Sequence, residues 1–170
     1  MQPVIGDYDE YYQQYIDLVK GDDILKSLED NSHYALNVFN SFPQSKGDYS
    51  YAEGKWSVKE VIGHMMDTER VFAYRALTIA RGEKTPLPGF DQDQYVINGK
   101  FKEHHLYELT YEYRLLREST LLLFKGFSDE VLNNRGNADG KDVTVLALMY
   151  IIAGHETHHV NVLEERYMNY

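Results

Sequence analysis

The sequence predicts an all-α protein, a bundle of four long helices with one long connection and a short leading N-terminal helix. Three observations predict it. Four long stretches carry apolar side chains at intervals of three and four, the spacing of one helix face. Each is bounded by a capping residue, a glycine or a proline. No stretch shows a convincing strand pattern, and there is no repeat or low-complexity tract.

The leading segment, Met1 to Lys20, alternates aromatic and polar residues (Tyr8, Tyr11, Tyr12, Tyr15, Ile16, Val19) and reads as a short helix ending at Gly21. Asp22 or Asp23 can cap the first main helix, which carries Ile24, Leu25, Leu28, Leu36, Val38 and Phe39 and runs through Phe42 to a stop at Pro43. Residues 44–55 read as a Ser/Gly/Tyr-rich loop. Ser57 and Glu60 then have capping-box spacing, so a second helix should run from there to Arg81, with Gly82 as its stop. Residues 83–100 contain Pro86, Pro88, Gly89 and Gly99 and predict the long connection, a length often associated with function. A third helix is expected over 102–125, ended by Gly126. The polar run 133–142 reads as a turn, and Thr144 can cap a last helix reaching Tyr167.

A chain of 170 residues fits one domain, residues 1–170, and 43% hydrophobic residues supply a core. No apolar run approaches the roughly 18–20 residues a bilayer span needs, and the N-terminus is acidic and tyrosine-rich where an export signal would be basic and then apolar. A cytoplasmic location without membrane attachment is therefore expected. The net charge of −10 argues against a nucleic-acid surface, because the 17 basic residues are scattered and phosphate binding needs them clustered. The absence of cysteine excludes disulfides and thiolate zinc sites. Histidine, aspartate and glutamate remain as metal ligands.

Chemistry concentrates in Gly154-His155-Glu156-Thr157-His158-His159. On a helix, residues four apart share a face, so His155 and His159 can chelate one cation. With about 100° per residue and His155 set at zero, Val145, Leu148, Met149, Ile151, Ile152, Val162 and Leu163 fall in an apolar arc from about −40° to about +120°. His159 lies at its centre, near about +40°, whereas His158 falls on its edge near about −60°. Glu156 also points inward, where a carboxylate is costly unless partnered, and is a candidate base or orienting residue. His64 is the best third ligand, being in phase with Val61, Thr68 and Val71 at the border of its helix's apolar face. His33 lacks a polar partner in phase, and His104 and His105 fall at a helix start. Gly63 precedes His64 as Gly154 precedes His155; glycine inside a helix points to close backbone approach there. Met65 and Met66 read as core.

His155-Glu156-Thr157-His158-His159 also matches H-E-x-x-H, in which two helical histidines hold zinc and the glutamate is the base of a metalloprotease. The extended pattern asks for glycine and histidine at positions where this chain has Val162 and Glu165, and there is no strand to bind a peptide. A protease is not the expected reading.

The stretches Lys55-Trp56-Ser57-Val58-Lys59-Glu60-Val61-Ile62-Gly63-His64, Asp67-Thr68-Glu69-Arg70-Val71-Phe72-Ala73-Tyr74-Arg75-Ala76-Leu77, Leu87-Pro88-Gly89-Phe90-Asp91-Gln92-Asp93 and Ile151-Ile152-Ala153-Gly154-His155-Glu156-Thr157-His158-His159 together resemble the DinB-like (DinB/YfiT-like) superfamily of metalloenzymes. The resemblance covers nearly everything after Ile24. It implies a four-helix bundle with a divalent metal held by His64, His155 and His159, in agreement with the helical phase. It implies less about the reaction. Some members transfer a thiol such as bacillithiol, mycothiol or glutathione, one branch isomerises maleylpyruvate with mycothiol, and others are named as metal-dependent hydrolases. Dimers are common in the family, and here only the surplus of tyrosine on the leading segment bears on a homodimer.

The expectation is thus a metal-dependent S-transferase that activates a low-molecular-weight thiol of the bacillithiol type against a small electrophile. In that reading Glu156 orients a ligand or moves a proton, and residues 86–95 form part of the pocket wall. The alternatives are a hydrolase acting on another small molecule with metal-activated water, and a non-catalytic metal-binding stress-response protein. A fourth protein ligand such as Asp67 or Asp91 would favour the last. Three imidazoles suit zinc or nickel first, with iron or manganese after them.

Overall fold

A computed structural model describes residues 1–168. Four long helices form the bundle, and three of their four starts follow from side-chain caps. The short leading helix is α1, Gln13–Ile16, preceded by a 3-10 turn, Glu10–Tyr12. It is shorter than expected because turns consume the rest: Gly6 and Gly21 both take positive φ, and Asp9 accepts a hydrogen bond from the Tyr11 amide to start the turn. The first long helix, α2, Ile24–Ser41, is capped by Asp23, which accepts from the Lys26 amide. The second, α3, Val58–Ala80, begins with both halves of the Ser57/Glu60 capping box and ends before Gly82, whose φ is +90°.

The long connection is more ordered than its prolines and glycines predict. Asp91 accepts from the amides of Asp93 and Gln94 and starts an eight-residue helix, α4, Gln92–Gly99. After α5, Leu106–Lys125, and a one-turn α6, Asp129–Leu132, the run expected to be a plain turn is a hairpin. Its strands β1, Arg135–Ala138, and β2, Lys141–Thr144, pair antiparallel with Arg135 opposite Thr144. Asp139 and Gly140 between them have φ of 58° and 74°, the two positive values a two-residue turn of this twist demands. Leu87 pairs with Ala138 and pins the start of the long connection to this hairpin. The last helix, α7, Val145–Val162, is capped by Thr144 and continues in a wider turn, Leu163–Tyr167.

Around the bundle α2 touches α5 and α7, and α3 touches the same two, so α2 and α3 lie on one diagonal. The N-terminal half of α7 is apolar all round and is correspondingly buried on every side from Val145 to Glu156, because α1 covers the face that the bundle leaves open. Two apolar clusters fill the interior. One holds Phe72 to Ala80 and Val143 to Ala153; the other holds Val58 to Met66 and Val160 to Tyr167. Between them, at residues 64–69 of α3 and 155–159 of α7, lies a polar layer. Among the described residues, no helix is long and apolar enough to cross a membrane.

Candidate metal centre

The capping box sets the start of α3, and His64 follows in its second turn. Its ring packs 4.6 Å from that of Trp56, which immediately precedes the cap. On α7, His155 and His159 are one turn apart and face the same way. The structure brings the three together: His64 Nε2 is 3.0 Å from His155 Nε2, and His159 Nε2 is 3.1 Å from it. One ring nitrogen from each falls within a sphere of contact no wider than 4.8 Å. Nitrogens sharing a tetrahedral zinc at about 2.1 Å would stand roughly 3.4 Å apart, close to the two spacings that His155 makes with its neighbours.

Burial fits the same chemistry. His64 is 3% and His155 8% exposed, with His159 half-buried. Burial pushes the His64 imidazole down to about 4, and pushes His155 and His159 well below the ordinary histidine value, with the neighbouring imidazoles adding to the effect. All three are therefore neutral donors at neutral pH, the state a metal ligand must have. Two glycines let the surroundings close in. A Cβ on Gly63 would overlap the Phe101 ring, and one on Gly154 would overlap the Tyr15 carbonyl.

The other expected residues separate. His158 lies outside the cluster, its ring edge-on to those of Tyr15 and His159. Asp67 pairs with Arg70 at 3.5 Å, and Asp91 caps α4. Among the described residues no carboxylate joins the three histidines. Glu156 is 3% exposed, and its hydrogen bonds come from the Tyr113 hydroxyl and from Arg117 Nη1, the latter at 2.6 Å. Residues 86–95 do contribute to a wall, through Phe90 and Gln92.

Sequence reasoning missed Arg117. This residue is 2% exposed and bonds three other helices: Nη1 also donates to the Leu28 carbonyl of α2 at 3.0 Å, while Nε and Nη2 fork onto Glu69 of α3 at 3.0 and 2.8 Å. The fork matches the Arg117 charge with that of Glu69, so Glu156 is the surplus carboxyl; burial, reinforced by the Glu69 charge, pushes it well above the usual carboxylate range. The available signal was Glu69, a charge set among Met65, Met66, Phe72 and Ala73 on the buried side of α3.

Besides an interior cavity of about 10 Å³ between Arg117 and His155, two open clefts reach the histidines. One, about 220 Å³, has His155 in its wall together with Tyr12, Tyr15, Thr68 and Arg75. The other, about 340 Å³, has His158 and His159 in its wall together with Tyr51, Trp56 and Asp93.

Comparison with known proteins gives the fold a context. The family model of the DinB superfamily matches residues 27–163. A protein of Oceanobacillus iheyensis whose name proposes a metal-dependent hydrolase is 27% identical over 74 residues, 43% of this chain and 42% of that protein, so the chain matches less than half the length of that curated relative. YfiT from Bacillus subtilis, described as a proposed metal-dependent hydrolase with an unusual four-helix bundle topology, superposes with a TM-score of 0.72 at 18% identity, covering 100% of this chain and 94% of that one. A mycothiol-dependent maleylpyruvate isomerase gives 0.69 at 12% identity over 81% of this chain and 58% of its own. A DinB-like protein of Bacillus subtilis, YjoA, gives 0.63 at 21% identity over 88% and 93%. At these identities the structural likenesses establish the shared fold.

Proposed function

The chain belongs to the DinB superfamily, and from that premise we propose that it is a metal-dependent enzyme of small molecules, an S-transferase that joins a low-molecular-weight thiol of the bacillithiol type to a small electrophile. The observation that carries this reading is the pair of clefts. They approach the histidines through different members of the cluster, His155 in one and His159 in the other, which suits a reaction of two organic substrates.

In this reading His64, His155 and His159 hold one divalent cation, zinc or nickel in the first place, through neutral imidazole nitrogens. Three neutral ligands leave its charge uncancelled, so the cation would supply Lewis acidity that lowers the pKa of a thiol or a water. The chain's own residues do the rest. The Trp56 ring lies tilted against that of His64 and the Tyr15 ring meets that of His155 edge-on, which holds the imidazoles in place. Glu156, hydrogen-bonded to Arg117 and Tyr113, fixes the rotation of α7 and so the direction of His155; we assign it a positioning role. Phe90 and Gln92 of the long connection and Tyr12 of the leading segment line the first cleft and limit solvent entry. The absence of cysteine means that the sulfur comes from the co-substrate. This proposal includes a cytoplasmic setting, where such thiols are kept reduced.

A second reading, hydrolysis of a small ester or amide, is favoured by the hydrolase descriptions of two of the relatives. One experiment separates them. Metal-loaded protein is given monochlorobimane with bacillithiol, mycothiol, glutathione or cysteine in turn, and a set of ester substrates without thiol, each with and without chelator. Chelator-sensitive conjugation with at least one thiol supports the transferase. Chelator-sensitive ester turnover without thiol, and no conjugation with any thiol, replaces it with the hydrolase.

A further inference from the structure

Two residues in the wall of the cleft beside His155 carry buried polar atoms that the fold leaves unused. Arg75, 3% exposed, donates from Nη2 to the Pro88 carbonyl at 2.8 Å, yet its Nε is buried with no partner; Thr68 Oγ1, on a residue 5% exposed, is likewise buried and unpaired. Both residues line this cleft. The Arg75 guanidinium is held over the Phe72 ring at 5.0 Å and within 5.9 Å of the Phe90 ring, so its orientation is set by packing.

The charge around it is unbalanced at one point. Lys141, also in the wall, is 3.7 Å from the Asp9 carboxylate and lies over the Tyr11 and Tyr12 rings. Asp139 also lines the cleft, but among the described residues no carboxylate forms an ion pair with Arg75. A cation taken out of water without an anion is costly, and an amide-like N–H donor buried without an acceptor adds to the cost. A wall that holds such a donor without a partner is complementary to an anion entering the cleft. With Nη2 given to Pro88, the Nε–H edge of the guanidinium is left for a carboxylate, and the Thr68 hydroxyl is a second donor beside it.

Thr68 and Arg75 stand four and eleven residues beyond His64 on α3, within about 40° of its direction. The Cα of Arg75 is thus about 16 Å further along the helix, and a helical side chain leans back toward the N-terminus, which shortens that span. Thr68 lies between Arg75 and the histidines.

We propose that the cleft beside His155 binds a substrate carboxylate, taken by Arg75 Nε, with Thr68 Oγ1 contacting the chain that leads from it to the histidine cluster. This names the substrate class of the site proposed above and rests on that reading for the reaction, but the carboxylate subsite is a property of Arg75 and Thr68 alone. The substrate is a small organic acid whose reacting atom lies several bonds from its carboxylate.

The test is binding to metal-free and metal-loaded protein. Acetate, butyrate, glutarate and adipate are titrated by calorimetry, with glutaramide as the uncharged control and inorganic phosphate as the competing anion. The expected result is that one or more carboxylates bind metal-free wild type, that the amide does not, and that Arg75→Gln weakens binding at least tenfold. Arg75→Lys, which keeps the charge and lacks Nε–H, should weaken it nearly as much. If Arg75→Gln fails to fold, the Arg75 Nε–H resonance of the wild type must shift on carboxylate titration. Binding that requires metal and is indifferent to Arg75→Gln would overturn the proposal, since the carboxylate would then be a metal ligand. Tighter binding of phosphate would overturn it too, as would no binding by any acid. Carboxylate binding at Arg75 in a protein that neither conjugates thiols nor hydrolyses esters would sink the proposed reaction and leave the subsite standing.

Discussion

The carbonyl of Tyr15 occupies the space that a Cβ on Gly154 would fill, so the leading segment lies directly on α7 one residue before His155. The obstacle is backbone, and a small side chain on α7 must push the whole segment away. Gly154→Ala is expected to destabilise the protein by about 1–3 kcal/mol, outweighing the gain of about 1 kcal/mol in helix propensity. At Gly63 the obstacle is the Phe101 side chain from its Cγ outward. Gly63→Ala should therefore cost less in a Phe101→Ala background, which removes those atoms, while Tyr15→Ala should not rescue Gly154→Ala. Urea unfolding of the four variants and their pairs checks this. A Gly154→Ala protein as stable as the wild type would contradict the packing.

The histidine cluster makes its own prediction about metal content. Elemental analysis of protein purified without a nickel column should give about one divalent ion per chain, since three neutral imidazoles form one site. His64→Ala, His155→Ala and His159→Ala should each lose most of it. His158→Ala should keep it, because His158 stands outside the cluster with its ring against Tyr15. Loss of metal from the His158 variant would redraw the ligand set.

That His158 could be set aside from sequence alone follows from helix geometry: one residue is about 100° of rotation, enough to move an imidazole from the centre of an apolar arc to its edge. Helix ends were legible for an equally local reason, since Asp23, Ser57, Glu60 and Thr144 bond amides within three residues of themselves. The hairpin was missed: Asp139-Gly140 is a two-residue turn signal, and inside a polar run without apolar alternation it reads as a loop. Arg117 was not legible either. Spacing shows that Glu69 and Glu156 need a partner, and only the crossing of four helices decides which basic residue reaches both. The cleft was hidden for the same reason, its wall being assembled from the leading segment, α3, the long connection and the hairpin.

Acid should unfold the protein through these histidines. Burial holds His64 at about 4 and His155 and His159 well below the ordinary value, against about 6.5 in the unfolded chain. Lowered values mean that the folded state prefers the neutral rings. The stability they contribute is complete above about pH 6.5 and is lost as pH falls from there toward 4. Bound metal needs the same neutral rings, and the folded protein keeps His64 neutral down to about 4, so metal should persist below the pH at which the metal-free protein weakens. Melting temperatures measured from pH 8 to pH 4 should show a gap between metal-loaded and chelated protein that is still present at pH 5 and closes toward pH 4. Melting indifferent both to chelator and to pH 5 would contradict the site.

Arg117 offers the sharpest test of what holds the bundle at this layer. Its guanidinium bonds α2, α3 and α7 at once, and both carboxylates it serves are 3% exposed. Arg117→Met leaves the Glu69 charge without its cation and Glu156 without its donor, and removing one partner of a buried ionic group costs about 3–5 kcal/mol. Most of that loss is uncompensated charge, so the triple variant Arg117→Met, Glu69→Gln, Glu156→Gln should recover much of it. If the loss is mainly packing, the two glutamines will recover little. Arg117→Lys keeps the charge and loses the fork, and should fall between. Urea unfolding measures all three, and metal affinity adds the functional readout. If Glu156 positions His155 through Arg117, the triple variant should regain stability without regaining the wild-type affinity, because an uncharged layer can fill the space but cannot set the rotation of α7.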